Sequence, residues 1–218
     1  MNTNFERIQF ITSETDSMSQ LDVARKACEA GVKWMQYRNK NASSKKMWEE
    51  ALKLKVICKE FKTTLIINDN PNLTFEAGAD GVHLGKEDVT VEEARNLIGN
   101  KFIIGASCHN IDDIIQAQYD GANYVGLGPF RFTNTKNNLN PLLGTTGFEK
   151  VMSDYAKRKL TIPVYAIGGV TVDDVEFLLS IGVYGVAVSS AITASADWSV
   201  TLKSFQEKFV SDKILLHE

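Results

Sequence analysis

The sequence predicts an α/β chain folded as a single-domain (β/α)8 barrel over residues 1–218, and three observations carry that expectation. Short apolar runs bounded by glycine or polar turn residues occur eight times, each of a length that suits a buried strand. Amphipathic segments with helical spacing separate them. Four stretches, EAGVKWMQ, EAGADGVHL, DGANYVGLG and SIGVYGVAVSS, repeat one plan: a helix end, a glycine, then an apolar strand. Strands apolar on both faces and joined through helices belong to a parallel sheet covered on both sides. Eight of them close into a TIM-type barrel, which commonly fills roughly 200–250 residues as one domain. A doubly wound open sheet is the alternative. Its glycine fingerprint is missing after the first strand, where Thr12, Ser13 and Glu14 stand instead.

In chain order, the strands are expected at residues 8–12, 32–37, 64–68, 81–84, 102–106, 124–127, 164–167 and 185–188. The intervening helices show their buried stripes. Leu21, Ala24 and Cys28 recur at helical spacing, as do Met47, Ala51, Leu54, Cys58 and Phe61, and later Trp198, Leu202, Phe205 and Phe209. Thr90 with Glu93 fits a capping box. Asn110 and Thr171 each precede an acidic first turn, where a helix dipole favours carboxylates. Asn70 stands as a cap before Pro71 at the first helical position. Gly31, Gly78, Gly99, Gly121 and Gly182 each fall between a helix and a strand, where a left-handed residue ends the helix.

The composition narrows the function. A net charge of −3 gives no support to a nucleic-acid or membrane-surface partner, so any cationic site is local. Cys28, Cys58 and Cys108 are far apart and follow no metal or redox spacing, and they read as reduced core thiols. The N-terminal segment MNTNFERIQF lacks a basic-then-apolar signal, and no apolar run reaches the ~18 residues of a membrane helix. The expectation is a cytoplasmic protein with no membrane partner, and homo-oligomerisation stays open.

In such a barrel, chemistry gathers on the loops that follow the strand C-termini. After the second strand, alternation by two puts Gln36, Arg38 and Lys40 on one side, suited to an anion. Asn68 and Asp69 follow the third strand. Asn70 can cap the next helix, which leaves Asp69 for other work. Asp88 stands in the loop after the fourth strand. Two carboxylates from neighbouring strand ends, Asp69 and Asp88, suit a magnesium ion shared with a diphosphate. Ser107 follows the fifth strand and can bond a phosphate oxygen. His83 and His109 read as structural histidines. Gly168 and Gly169 follow the seventh strand, and Ser189 and Ser190 follow the eighth. These loops commonly bind phosphate through backbone N–H groups.

The stretch at residues 122–144, ANYVGLGPFRFTNTKNNLNPLLG, joins these groups. A buried strand breaks at Gly128-Pro129, and a polar loop then carries Thr133, Thr135 and Lys136. Threonines two apart can meet one oxygen-rich ligand, and Lys136 adds a mobile charge. The adjoining Asn-rich loop at residues 137–144 reads as a lid over the pocket. The inventory therefore has two anion centres: a carboxylate-and-cation centre suited to a metal-bound diphosphate, and a neutral N–H centre suited to a monophosphate. Two phosphorylated small molecules in one pocket suggest joining them, with diphosphate leaving.

At this point the chain resembles the thiamine phosphate synthase family. The matching segments are QYRNK, IIND, ADGVHLGKEDV, IIGASCHN, GANYVGLGPFRFTNTK, PVYAIGGV and GVAVSSAI, in family order over nearly the whole chain. The resemblance implies a transferase that couples hydroxymethylpyrimidine diphosphate to thiazole phosphate. It implies Mg2+ held by Asp69 and Asp88. Gln36, Arg38, Lys40, Asn68, Ser107 and Lys136 would line the pyrimidine-diphosphate side, with Arg38, Ser107 and Lys136 as the catalytic set. Thr133, Thr135, Gly169, Ser189 and Ser190 would hold thiazole phosphate. Phe132 stands where the family usually has proline, Asn70 where it often has a basic residue, and Ser189 where it often has an aliphatic one. The implied chemistry is a dissociative substitution without a protein nucleophile. The related thiazole tautomerase shares the barrel and is the nearest rival. A non-catalytic sensor of phosphorylated ligands is the second.

Overall fold

The computed structural model describes residues 5–132 and 141–215, with side chains through residue 210. The eight strands are β1 (Ile8–Ile11), β2 (Trp34–Tyr37), β3 (Thr64–Asn68), β4 (Gly81–Leu84), β5 (Ile103–Cys108), β6 (Tyr124–Leu127), β7 (Val164–Ile167) and β8 (Gly185–Val188). They pair in sequence order and β8 returns to β1, closing a parallel barrel. The helices are α1 (Gln20–Glu29), α2 (Ser44–Phe61), α3 (Pro71–Glu76), α4 (Val91–Ile98), α5 (Ile111–Tyr119), α6 (Gly144–Lys157), α7 (Val175–Ser180), α8 (Ser190–Thr193) and α9 (Trp198–Leu215). A short 3-10 turn, Val172–Asp174, leads into α7.

The local signals act as their chemistry dictates. Thr90 and Glu93 form the capping box of α4, Asn110 caps α5, and Asn70 caps α3 with Pro71 in its first turn. Gly31, Gly78, Gly121 and Gly182 all adopt positive φ at the helix ends. Gly99 does too, with φ 83° and ψ 179°, so α4 ends in an extended glycine rather than a left-handed helical one. β5 runs two residues beyond the expected Ala106. Ser107 and Cys108 continue the ladder opposite Gly126 and Leu127, because pairing with β6 outweighs the polarity of serine.

Two apolar layers hold the fold. The larger one lies between the barrel wall and the helices. It includes Phe10, Val23, Leu54, Leu65, Ile104, Phe148 and Phe205, all fully buried, each stabilising by about 1.5–3 kcal/mol relative to exposure. Trp198, Leu202, Phe205 and Phe209 of α9 join this layer. The smaller layer fills the barrel floor with Trp34, Ile66, Tyr124 and Tyr165. Trp34 meets Tyr124 and Tyr165 edge-on, with centroids 4.8 and 5.0 Å apart. Glycine on neighbouring strands makes room for these rings. A Cβ on Gly105 would fall 2.2 Å from Tyr124 Cζ, and one on Gly185 would fall 2.6 Å from Tyr165 Cε1. These side chains fill the floor among the described residues. The three cysteines are buried and free. No helix among the described residues is long and apolar enough to cross a membrane.

Candidate functional site

The C-terminal strand ends open onto a cavity whose lining includes residues spaced by two along several strands, joined by consecutive loop residues after β3, β6, β7 and β8. Gln36, Arg38 and Lys40 line it from β2 and its extension, then Asn68 from β3, His83 and Gly85, Ser107 and His109, Gly126 and Gly128, Ile167 and Gly169, and Ala187 and Ser189. This is the side-chain period of extended backbone. Tyr37 and Asn39 accordingly face the opposite side. The Tyr37 hydroxyl donates to Glu50 Oε2 at 2.5 Å, and Asn39 Nδ2 donates to the same oxygen at 3.1 Å. The backbone of the stretch is held as well: the Arg38 N–H donates to Thr12 Oγ1 at 3.1 Å, and Gln20 Nε2 donates to the Arg38 carbonyl at 3.0 Å. The stretch that carries Arg38 is therefore anchored from three elements.

Cations and carboxylates meet at the ends of β2, β3 and β4. Lys40 Nζ lies 3.0 Å from Asp69 Oδ2. Burial pulls the Arg38 guanidinium below its ordinary pKa while Asp69 opposes that shift, and arginine stays charged regardless. Asp69 has φ 65°, a left-handed conformation that only a few residue types other than glycine accept. Its N–H donates to the His83 carbonyl at 2.8 Å. Asp88 stands behind Gly85 rather than on the cavity wall, and its Oδ2 accepts from the Gly85 N–H at 2.6 Å. Burial, and then the facing Asp69 carboxyl, raise the Asp88 pKa; the Gly85 N–H and Lys40 oppose them. Gly85 lets the two carboxylates converge: a Cβ there would fall 3.0 Å from Asp88 Oδ2 and 4.0 Å from Asp69 Oδ1. Two carboxyl groups held together in this way disfavour each other's charge unless a cation compensates them. Among the described residues, no group of three or more His, Cys, Asp and Glu side chains forms a metal-binding cluster. The chemistry of the donor set therefore fits a hard ion that takes one or two protein carboxylates and fills its shell with water and phosphate.

The other side of the mouth is neutral. Gly168 and Gly169 turn after β7 with φ 96° and 65°, and they line the cavity with Ser189, Ser190 and Ala191. α8 starts at Ser190, so its first backbone N–H groups have no acceptor within the helix. The segment after β6 lies along this turn: the Phe130 N–H donates to the Ile167 carbonyl at 2.9 Å and the Arg131 N–H to the Gly168 carbonyl at 2.8 Å. Gly169 must be small there, since a Cβ would fall 2.9 Å from Arg131 Cβ.

Of the residues singled out from sequence, Gln36, Arg38, Lys40, Asn68, Asp69, Ser107, Gly169, Ser189 and Ser190 line one cavity, and Asp88 joins it through Asp69. Thr133, Thr135 and Lys136 lie outside the described residues, as do residues 137–140 of the expected lid. His83 is a hydrogen-bonded histidine, with Nδ1 3.0 Å from Tyr124 Oη and Nε2 3.0 Å from Ser107 Oγ. His109 bonds the Gly128 carbonyl through Nδ1 and also faces the cavity. Ile11, Gly85 and Pro129 line it as well and had been given no role. Their strand-end positions were the available signal.

A (β/α)8 barrel with a carboxylate-and-cation centre facing a glycine-rich phosphate-type turn is the frame of an enzyme for phosphorylated small molecules. A sequence model described as thiamine monophosphate synthase matches residues 8–192. A thiamine-phosphate synthase of Flavobacterium johnsoniae is 37% identical over 211 residues, covering 97% of this chain and 100% of the relative. One from Bacteroides thetaiotaomicron is 42% identical over 190 residues, covering 87% and 91%. The structure of thiamine phosphate pyrophosphorylase from Pyrococcus furiosus superposes with a TM-score of 0.80 at 29% identity, covering 94% and 96%. The chain belongs to the thiamine monophosphate synthase family, and it is a transferase that forms thiamine phosphate. These matches do not favour the tautomerase or the sensor.

Proposed function

We propose that the enzyme binds hydroxymethylpyrimidine diphosphate at the Arg38–Lys40–Asp69–Asp88 side and thiazole phosphate at the Gly169–Ser190 side, and that it uses Mg2+. The observation that carries this reading is the convergence of Asp69 and Asp88 across Gly85, beside Lys40 and Arg38. Asp69 and Asp88 would hold the ion, which when bound would neutralise charge on the departing diphosphate. The Arg38 fork and Lys40 hold diphosphate oxygens, and the Ser107 hydroxyl donates to another. Asn68 and Gln36 face the pyrimidine. Gly169, Ser189 and Ser190 offer backbone N–H groups to the thiazole phosphate, and Thr133 and Thr135 complete that side. The C–O bond between the methylene carbon and the diphosphate breaks, and its electron pair leaves with the diphosphate. The electron-rich pyrimidine supports the resulting cation, and the lone pair of the thiazole nitrogen closes the new C–N bond. Lys136 follows the charge that builds on the leaving group. No protein nucleophile and no proton transfer is needed.

Calorimetry with inorganic diphosphate, with and without Mg2+, tests the assignment together with turnover of Asp69→Asn and Asp88→Asn. Diphosphate binding is expected to need Mg2+, and each variant to lose more than about tenfold in turnover at limiting Mg2+, since metal stabilisation of a leaving group contributes several kcal/mol. Wild-type rates in both variants would remove the metal assignment.

A further inference from the structure

A chain of buried polar groups crosses the barrel beneath the cavity. Gln36 Nε2 donates to Gln9 Oε1 at 3.1 Å, and Gln9 Nε2 donates to Tyr124 Oη at 3.0 Å. Tyr124 Oη lies 3.0 Å from His83 Nδ1, and His83 Nε2 lies 3.0 Å from Ser107 Oγ. Tyr124 is fully buried and Gln9, Gln36 and His83 nearly so; Gln36, His83 and Ser107 all border the cavity, and Ser107 is the most exposed of the three. The position of every hydrogen in such a chain depends on its neighbours. Tyr124 Oη already accepts from Gln9, and burial raises its pKa, so it stays a protonated hydroxyl. An assignment consistent with this sends its own hydrogen to His83 Nδ1 and puts the ring hydrogen on Nε2. In that assignment the Nε2 hydrogen takes a lone pair of Ser107 Oγ, and the serine hydrogen is left to turn toward the cavity. An outward donor is what an anion in the cavity requires.

We propose that Gln9, Tyr124 and His83 are positioning residues that keep the Ser107 hydroxyl hydrogen aimed at the diphosphate substrate. The proposal rests on the assignment of Ser107 to that substrate. Gly105 has a matching role. It pairs with His83 on one side and Tyr124 on the other, and a Cβ there would fall 2.4 Å from Tyr124 Cε1 and 2.6 Å from His83 Nδ1. The strand between the two rings is bare at the one point where their contact needs space.

The first test needs no variant. The chain has only three histidines, so long-range proton–nitrogen NMR on the 15N-histidine-labelled enzyme reads the His83 tautomer directly. Hydrogen on Nε2 is expected; hydrogen on Nδ1 would mean the chain runs the other way and would overturn the proposal. The second test is a kinetic cycle of Ser107→Ala, Tyr124→Phe and the double variant. Each single variant is expected to lower kcat about tenfold, as for a lost hydrogen bond to a charged group, with a smaller change in KM. The double variant is expected to be no slower than Ser107→Ala, because Tyr124 acts only through the serine. Losses that multiply to about a hundredfold would mark Tyr124 as merely structural and overturn the relay alone. Full activity in Ser107→Ala would overturn the substrate assignment and the relay together.

Discussion

The side chain of Asp174 shows how one carboxylate fastens the neutral side of the mouth. It accepts from both guanidinium nitrogens of Arg131, from the Thr171 N–H at 2.8 Å and from Thr171 Oγ1 at 2.9 Å. Arg131 precedes the loop of Thr133 and Thr135 and also donates to the Gly169 carbonyl at 3.4 Å. Burial alone would push the Asp174 pKa up, but Arg131 and Thr171 overcome it and hold the carboxyl below its ordinary value. Asp174→Asn is expected to cost about 1–2 kcal/mol near neutral pH, a figure reduced because Arg131 is half exposed. The sign with pH follows from the depressed pKa. The contribution is present above the unfolded carboxylate value of about 3.9 and is lost as pH falls through the lower folded value. Thermal midpoints of the two proteins should differ by about 3–6 °C at neutral pH and converge in strong acid. A gap that persists in acid would show that Asn damages packing instead.

At the scale of elements, β2 and α2 act as a unit. Tyr37 and Asn39 both reach Glu50 of α2, and Lys46 lies 3.6 Å from the same carboxylate. Burial and Glu50 raise the Tyr37 pKa, so it remains a donor. Clamping the outward residues fixes the inward ones, because a strand cannot rotate one face without the other. Glu50→Ala is expected to raise KM for the diphosphate substrate several-fold with a smaller change in kcat, and to cost about 1–3 kcal/mol of stability through the stranded donors. Lost stability with an unchanged KM would make Glu50 a fold residue only. The inward face of this unit was legible from sequence, since Gln36, Arg38 and Lys40 follow a period of two. The role of Glu50 was not: its spacing from Met47 and Leu54 places it on the buried stripe, but its partners Tyr37 and Asn39 are set only by the packing of α2 on β2. The strands and most helix ends were legible for a local reason: short apolar runs and glycine caps are decided by neighbouring residues. The end of β5 was misjudged because pairing with β6 decided it. The bonds of His83 to Tyr124, 41 residues away, and of Tyr124 to Gln9, 115 residues away, exist only once the barrel has closed.

At the scale of the molecule, closure brings the mouths of all eight strands to one cavity yet keeps the two proposed anion centres on different strands. Arg38, Lys40, Asp69 and Asp88 come from the ends of β2, β3 and β4, whereas Gly168, Gly169, Ser189 and Ser190 come from the ends of β7 and β8. None of the ion pairs or hydrogen bonds described among these residues joins one centre to the other. Sites that share no partners respond to mutation independently. Asp88→Asn is therefore expected to weaken Mg2+-dependent diphosphate binding by more than about tenfold, the loss of one carboxylate from a metal shell, and to leave thiazole-phosphate affinity within about twofold. Gly169→Ala should do the reverse. Its φ of 65° disfavours a side chain, and its Cβ would press on Arg131, so the turn that presents backbone N–H groups must shift. Calorimetry of each ligand alone on each variant decides the matter. Reciprocal losses would place the coupling of the two substrates in the reaction itself, where charge develops between the centres. Parallel losses of both ligands in either variant would show that the barrel mouth binds them as one connected site.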